Sequence, residues 1–329
     1  MAPIPHTTRP ERPPMTVGKY AGTIRHDSAD GCAIALVGLP DDTGVGLNNG
    51  RPGAKGGPAA FRQALASYGT AVDARNSAEL PPIVYDAGDV VPVTTEEASG
   101  DPVRAMHETH TRVTEALFAI HKRGLLPVCI GGGHDLTYPS VRALSQHLGR
   151  GVGGVNVDAH LDVRETDGSG MPYRAGIEGG YIDATRFIEF GIARFGNSRA
   201  HCEWLLSRFG EIVTVDKVVS SEATPAWAME FAFDARTDGE QGDEGAHLGF
   251  VSIDLDAIDG AMSVGVSAVN PNGLTVQHCC EIAERAGAHQ AVRHFDLMEL
   301  NPLADDGRTA RIAALLFLHF ITGYRSRTA

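Results

Sequence analysis

Eight short apolar runs, punctuated by Gly, Asp and His and separated by stretches of helical periodicity, constrain the fold of this chain more than any other feature. They are "CAIALVGLP", "PIVYDAGDV", "LLPVCIGGGHD", "VGGVNVDAHLD", "FIEFGIARF", "EIVTVDKV", "LGFVSIDLDAID" and "AVRHFDLMELNP". Between them, "PAAFRQALASYG", "TRVTEALFAIHKRG" and "TYPSVRALSQHLG" carry apolar residues at helical spacing. Strands that alternate with helices pair in parallel through crossover connections, so the expected fold class is α/β with about eight strands. No repeat or linker interrupts the rhythm, which predicts one domain over 31–329. Residues 1–30 read as a Pro-containing extension, either poorly ordered or packed on a neighbouring subunit. The acidic, Gly-rich stretch from Ala235 to His247 lacks an apolar period and reads as a solvated loop.

The sequence has 329 residues, 43% of them hydrophobic, enough for a large core. With 28 Lys and Arg against 41 Asp and Glu, the formal charge of -13 disfavours nucleic acid and anionic membrane as partners and leaves room for bound cations. The five Cys are odd in number and form no CxxC pair, which excludes a disulfide framework and a thiolate zinc site and points to a reducing cytoplasm. "MAPIPHTTRPERPPM" lacks the apolar centre of a signal peptide. The run "IAALLFLHFI" is too short to span a bilayer and reads as a buried final helix.

Ligands of open parallel sheets bind beyond the carboxyl ends of the strands. Three such ends carry metal-ligand chemistry: His134 and Asp135 in "CIGGGHD", Asp158, His160 and Asp162 in "VNVDAHLD", and Asp254, Asp256 and Asp259 in "VSIDLDAID". Residues at i, i+2 and i+4 of a strand share a face, so Asp158, His160 and Asp162 can converge on one point, and Asp254 and Asp256 repeat the alternation. A lone DxD or GGGH often only terminates a strand, but DxHxD after an apolar run is more specific, and three fragments in matching positions are more specific still. Carboxylates gathered this way repel one another unless cations neutralise them. Two imidazoles with several carboxylates and no thiolate suit Mn²⁺ or Fe²⁺ better than Ca²⁺ or Mg²⁺, with Mn²⁺ the preferred reading. A metal pair sharing a water lowers its pKa, and the chemistry implied is hydrolysis.

"GGGHD", "VDAHLD" and "SIDLDAID", in this order and at these separations, resemble the signatures of the ureohydrolase superfamily of arginases, agmatinases and formimidoylglutamases. The resemblance covers roughly Ile34 to Tyr324. It implies a three-layer α/β/α domain with a parallel eight-stranded sheet, two Mn²⁺ per subunit, and a trimer or hexamer. It makes His134, Asp158, Asp162 and Asp254 ligands of one metal, and Asp158, His160, Asp254 and Asp256 ligands of the other. Asp256 would also pass on a proton during collapse of the tetrahedral intermediate, and Glu299 in "FDLMELNP" would pair with the cationic amidine.

Within the superfamily, "GGGHD" is closer to formimidoylglutamases than to the GGDHS of arginases and agmatinases, and "GVSAVNP" is closer to their loop. "SGMPY" resembles their SGxPF segment and puts Tyr173 where arginases carry a proton-shuttling His, so a titrating imidazole is missing there. A Gly260 stands where the family usually has Pro. The substrate this implies is N-formimidoyl-L-glutamate, cleaved to L-glutamate and formamide in histidine degradation. Its two carboxylates suit Arg164, Arg174 and Arg194 through the planar guanidinium fork, with Ser169 and Asn197 as neutral donors. The alternatives are another guanidino substrate releasing urea, such as guanidinobutyrate, guanidinopropionate, agmatine or arginine, and a non-catalytic binding protein.

Overall fold

The alternation of strand and helix produces a sheet of nine strands covered on both faces. The structure, a computed structural model, describes residues 3–10, 13, 17–73, 78–81, 83–234 and 247–328. The expected acidic loop, apart from its last residue, lies outside the described residues. In spatial order the strands are Thr7–Thr8, Val84–Val90, Ile34–Leu39, Leu126–Gly131, Val292–Met298, Gly249–Asp254, Val152–Val157, Ile182–Ile192 and Glu211–Thr214. The last eight are mutually parallel and coincide with the eight apolar runs. Thr7–Thr8 adds an antiparallel edge, Thr7 opposite Val90 and Thr8 opposite Asp89.

Strand periodicity partitions the core. Ile34 and Leu36 face one apolar cluster with Val155, Val157, Val251 and Ile253, while Ala35, Val37 and Leu39 face another. Helices Gly57–Leu65, Val276–Ala288 and Arg308–Arg325 cover the first face, and Pro102–His121 and Thr137–Leu148 cover the second, giving three α/β/α layers. The starts of two helices are locally encoded. Asp101 accepts the N–H groups of Val103 and Arg104, and Thr275 forms a reciprocal capping box with His278. The final helix buries Ile312, Leu316, Phe317, Phe320 and Ile321.

The described part of the N-terminal stretch packs on this same domain. Tyr20 is fully buried and meets Phe317 edge-on at 6.2 Å, and Phe317 meets Phe61 at 5.4 Å. Burying one such aromatic side chain stabilises by about 1.5–3 kcal/mol, which helps to hold residues 17–24 against the helices.

The topology sets the site. The four central strands, Leu126–Gly131, Val292–Met298, Gly249–Asp254 and Val152–Val157, are those whose carboxyl ends lead into His134, Glu299, Asp254 with Asp256, and Asp158 to Asp162.

Candidate metal centre

Two adjacent strands end in the same local turn. Asp158 Oδ1 accepts the His160 N–H at 2.7 Å, and Asp254 Oδ1 accepts the Asp256 N–H at 2.7 Å. Each turn fixes one carboxylate oxygen and leaves Oδ2 facing inward. His134 enters from the third strand, on a turn that needs glycine: a Cβ on Gly131 would lie 2.1 Å from the Met298 sulfur, and one on Gly132 would lie 2.0 Å from the Asp41 carbonyl oxygen. The result is a carboxylate fan around one imidazole nitrogen, with His134 Nδ1 3.2 Å from Asp158 Oδ2, 3.1 Å from Asp162 Oδ2 and 3.1 Å from Asp254 Oδ2. Beside it, His160 Nδ1 lies 3.4 Å from Asp158 Oδ1 and 3.2 Å from Asp256 Oδ2. The six Asp and His expected as ligands thus form two adjoining groups, His134, Asp158, Asp162, Asp254 and Asp158, His160, Asp256. Asp158 belongs to both, one oxygen to each, while Asp254 stands in the first group only.

Two other strand-end carboxylates turn elsewhere. Asp135 is buried and takes the His110 Nε2 at 2.7 Å, and Asp259 accepts the N–H groups of Ala261 and Gly273 to close its own turn. The following Gly260 donates its N–H to the Asn270 carbonyl at 2.7 Å, a bond that Pro would remove, which gives the departure from the family pattern a local reason.

Glu299 lies beside the fan. Its Oε1 accepts the His134 backbone N–H at 3.0 Å and its Oε2 accepts the Ser267 hydroxyl. Glu299 and Asp162 both have positive φ, 65° and 44°. Non-glycine residues pay about 1–3 kcal/mol for that conformation, and such strain gathers at functional sites.

Electrostatics give the fit test for a cation. Burial pushes Asp254 well above the usual carboxylate range, Asp256 to about 6 and Glu299 to about 8. The Asp256 charge raises His160. His134 Nδ1 and Asp256 Oδ1 are buried without a hydrogen-bond partner among the described residues. Orphaned ligand atoms within a cluster of mutually repelling carboxylates are what a divalent cation satisfies, so the residues fit a metal pair.

Behind the fan, polar residues set inside apolar strand runs fix the tautomer of His134. Asn156 Nδ2 donates to Glu189 Oε2 at 2.7 Å, so its Oδ1 is the acceptor for the Tyr173 hydroxyl at 2.8 Å. With its one proton committed, the Tyr173 oxygen, 2.9 Å from His134 Nε2, accepts from that nitrogen, as Ser252 Oγ at 3.0 Å also can. His134 Nε2 therefore carries a proton, which leaves Nδ1, the nitrogen facing the fan, as the one to offer its lone pair to a cation. Oriented imidazoles of this kind are a general feature of metal sites. Asn156, Ser252 and Glu189 were missed in the sequence, and the available signal was a polar residue inside "VNVD", "VSID" and "FIEF". Tyr173→Phe is expected to weaken metal binding about tenfold, read by competition with a fluorescent chelator; unchanged affinity would rule out this role for the hydroxyl.

The expected substrate residues divide. Arg164, Ser169 and Glu299 line a pocket of about 160 Å³ together with His160, Asp162, Asp254 and Asp256. Asn48 and Ser267, which the sequence did not single out, line it too, and Asn48 contacts the Ser169 hydroxyl at 2.9 Å. Tyr173 is fully buried behind His134 and does not line the pocket. Arg174 is held by Glu178 at 3.0 Å and Glu165 at 3.6 Å and stacks on Trp204. Asn197 braces the metal loop from outside, accepting the Leu161 N–H at 2.8 Å and donating to the Ala159 carbonyl at 3.0 Å. Arg194 lies on a neighbouring cavity that also touches His160.

An α/β/α domain with two adjoining Asp/His groups at the carboxyl ends of its central strands defines a class of proteins built to hold a metal pair. Residues 32–323 match the model of the arginase family, and the chain belongs to that family. It is 32% identical to a formimidoylglutamase of Halobacterium salinarum over 305 residues, 90% of this chain and 89% of that protein. It is 36% identical to a formimidoylglutamase of Aeromonas hydrophila over 297 residues, 86% and 84% of the two chains. Among solved structures it is similar to Trypanosoma cruzi formiminoglutamase with Mn²⁺₂, at a TM-score of 0.80 and 29% identity, covering 95% of this chain and 99% of that one.

Proposed function

We propose that this protein is a manganese-dependent formimidoylglutamase, hydrolysing N-formimidoyl-L-glutamate and water to L-glutamate and formamide. The observation that carries the reading is the shared Asp158, whose two oxygens serve two adjoining ligand groups. His134, Asp158, Asp162 and Asp254 would hold one Mn²⁺, and Asp158, His160 and Asp256 the other. Bound there, a metal pair lowers the pKa of a water and supplies a nucleophile at neutral pH. Formimidoylglutamase relatives of this chain and the manganese in a similar solved structure support the substrate and the metal.

The chain's own residues supply the rest. Glu299 faces the pocket with a carboxylate suited to the cationic amidine, held in place by the His134 N–H and the Ser267 hydroxyl. Asp256 has one oxygen toward His160 and the other without a partner among the described residues, and it would take a proton and pass it to the departing nitrogen. Arg164 lines the same pocket and offers a bidentate donor to the carboxylate beside the amidine. No imidazole stands at Tyr173 to shuttle a proton, and the Tyr173 hydroxyl itself is occupied with Asn156 and His134.

The reading extends to a single catalytic domain over 31–329 in a cytoplasmic homo-oligomer. Five free thiols suit a reducing compartment, and no helix among the described residues is long and apolar enough to cross a membrane. Purified, Mn-loaded protein given a panel of amidines and guanidines should release formamide from N-formimidoyl-L-glutamate and little urea from arginine, agmatine or guanidinobutyrate. Urea from any of these at a higher kcat/KM would move the assignment within the family.

A further inference from the structure

Polar side chains stand in one column of an otherwise apolar layer, between the sheet and the helix Thr137–Leu148. Strand register puts them there. Ser252 and Asp296 are partners on neighbouring parallel strands, so their side chains share a face, and His294 lies on that same face two residues before Asp296. Thr137 opens the covering helix. Thr137, Ser252, His294 and Asp296 have no exposed surface. A buried carboxylate beside an imidazole is costly and adds little to stability, and the chemistry proposed above does not use this one.

Hydrogen bonds join the column to the metal centre. Thr137 Oγ1 donates to Asp296 Oδ2 at 3.1 Å, and His294 Nε2 lies 2.9 Å from the same oxygen. With its proton given to the carboxylate, Thr137 Oγ1 is left to accept from Ser252 Oγ at 3.4 Å, and Ser252 Oγ in turn accepts from His134 Nε2 at 3.0 Å. Every proton on the run then points from His134 toward Asp296. Hydrogen bonds aligned in one direction polarise one another, so the carboxylate acts on the imidazole without touching it.

Resting on the reading of His134 as a manganese ligand, we propose that Asp296 is a positioning residue for the metal centre, acting through Thr137 and Ser252. A partner that draws on the free N–H of a ligating imidazole fixes the ring and makes the other nitrogen more basic. Here that nitrogen is Nδ1, which faces Asp158, Asp162 and Asp254. His294 and Thr137 converge on Oδ2 of Asp296, and Oδ1 has no partner among the described residues. Tyr173 holds the His134 N–H from another side, so the run shares the task with it.

The test reads the Mn²⁺ affinity of the full-length protein by competition with a fluorescent chelator. D296N removes the charge and keeps the shape, T137V removes the linking hydroxyl and keeps the shape, and T137S keeps the hydroxyl. D296N and T137V are each expected to weaken manganese binding about threefold to tenfold, less than the loss of a direct partner of the imidazole, because the charge acts through two hydroxyls. T137S should stay within about twofold of the parent, and the double variant D296N/T137V within about twofold of T137V, since the link is already cut. Independent packing defects would instead multiply. The relay is overturned by D296N or T137V less than about threefold below the parent, by T137S as weak as T137V, or by a double variant that loses the product of the two single losses. If D296N does not fold, T137V against T137S still decides. Parent protein that takes up no manganese overturns the metal reading, and the relay with it; parent binding with unaltered variants overturns the relay alone.

Discussion

Replacing Asp158 by Asn is expected to lower formamide release by more than about a thousandfold and to leave fewer than two manganese ions per chain. Loss of a residue that merely orients a ligand costs about 10–100-fold in metal affinity, and Asp158 is shared by two ligand groups, so both sites suffer at once. The change conserves volume at a position with no exposed surface, and an Asn Oδ1 can still accept the His160 N–H. Far-ultraviolet circular dichroism should therefore match the parent. Metal analysis and turnover together check the expectation, and a D158N protein that keeps two ions or a tenth of its activity would sink it.

Stripping the metals should make the protein less stable as the pH rises, in a window set by its own carboxyl groups. In the metal-free fold Asp256 titrates at about 6 and Glu299 at about 8, both held up by burial and above the ordinary range of about 4. A carboxyl whose folded pKa is raised binds its proton more tightly in the folded state. Its contribution is complete below the unfolded pKa and is lost as pH climbs through the folded one. His160, raised by Asp256, loses its contribution in the same direction above its ordinary value. Asp158, lowered in the fold, changes stability only under more acidic conditions. Between pH 5 and pH 8 the loss is on the order of a few kcal/mol. Mn²⁺ replaces those protons as the neutralising charge, so its stabilisation grows over the same interval. Thermal melts of chelator-treated and Mn-loaded protein across this range read the effect directly. A chelated protein whose Tm is flat or rises from pH 5 to pH 8 would show that the cluster is not the strained element described.

Much of this was legible in the sequence because its causes are local. Strands of Val, Ile and Leu bounded by Gly and Asp form wherever they lie in the chain, and all eight runs became strands. The ligand turns are likewise local, since Asp158 and Asp254 each accept the N–H two residues on. What escaped depends on distant partners. Thr7–Thr8 has no periodicity of its own and becomes a strand only because Asp89 and Val90 offer an edge. Asp135 has the composition of a ligand, but His110 on a remote helix draws it away. Arg174 carries the charge for a carboxylate, yet Glu178, Glu165 and the Trp204 ring occupy it. Tyr173 reads from "SGMPY" as a pocket residue, and the helix Pro172–Glu178 turns it inward against Asn156. No sequence pattern reports which way a side chain leaves a short helix when its partner lies on another strand.

The most direct measurement is formamide release from N-formimidoyl-L-glutamate by metal-stripped protein titrated with Mn²⁺. The expected result is turnover that rises until two ions are bound per chain and not beyond. Activity that saturates at one ion, or persists without metal, would contradict a shared Asp158 at the centre of a two-metal hydrolase.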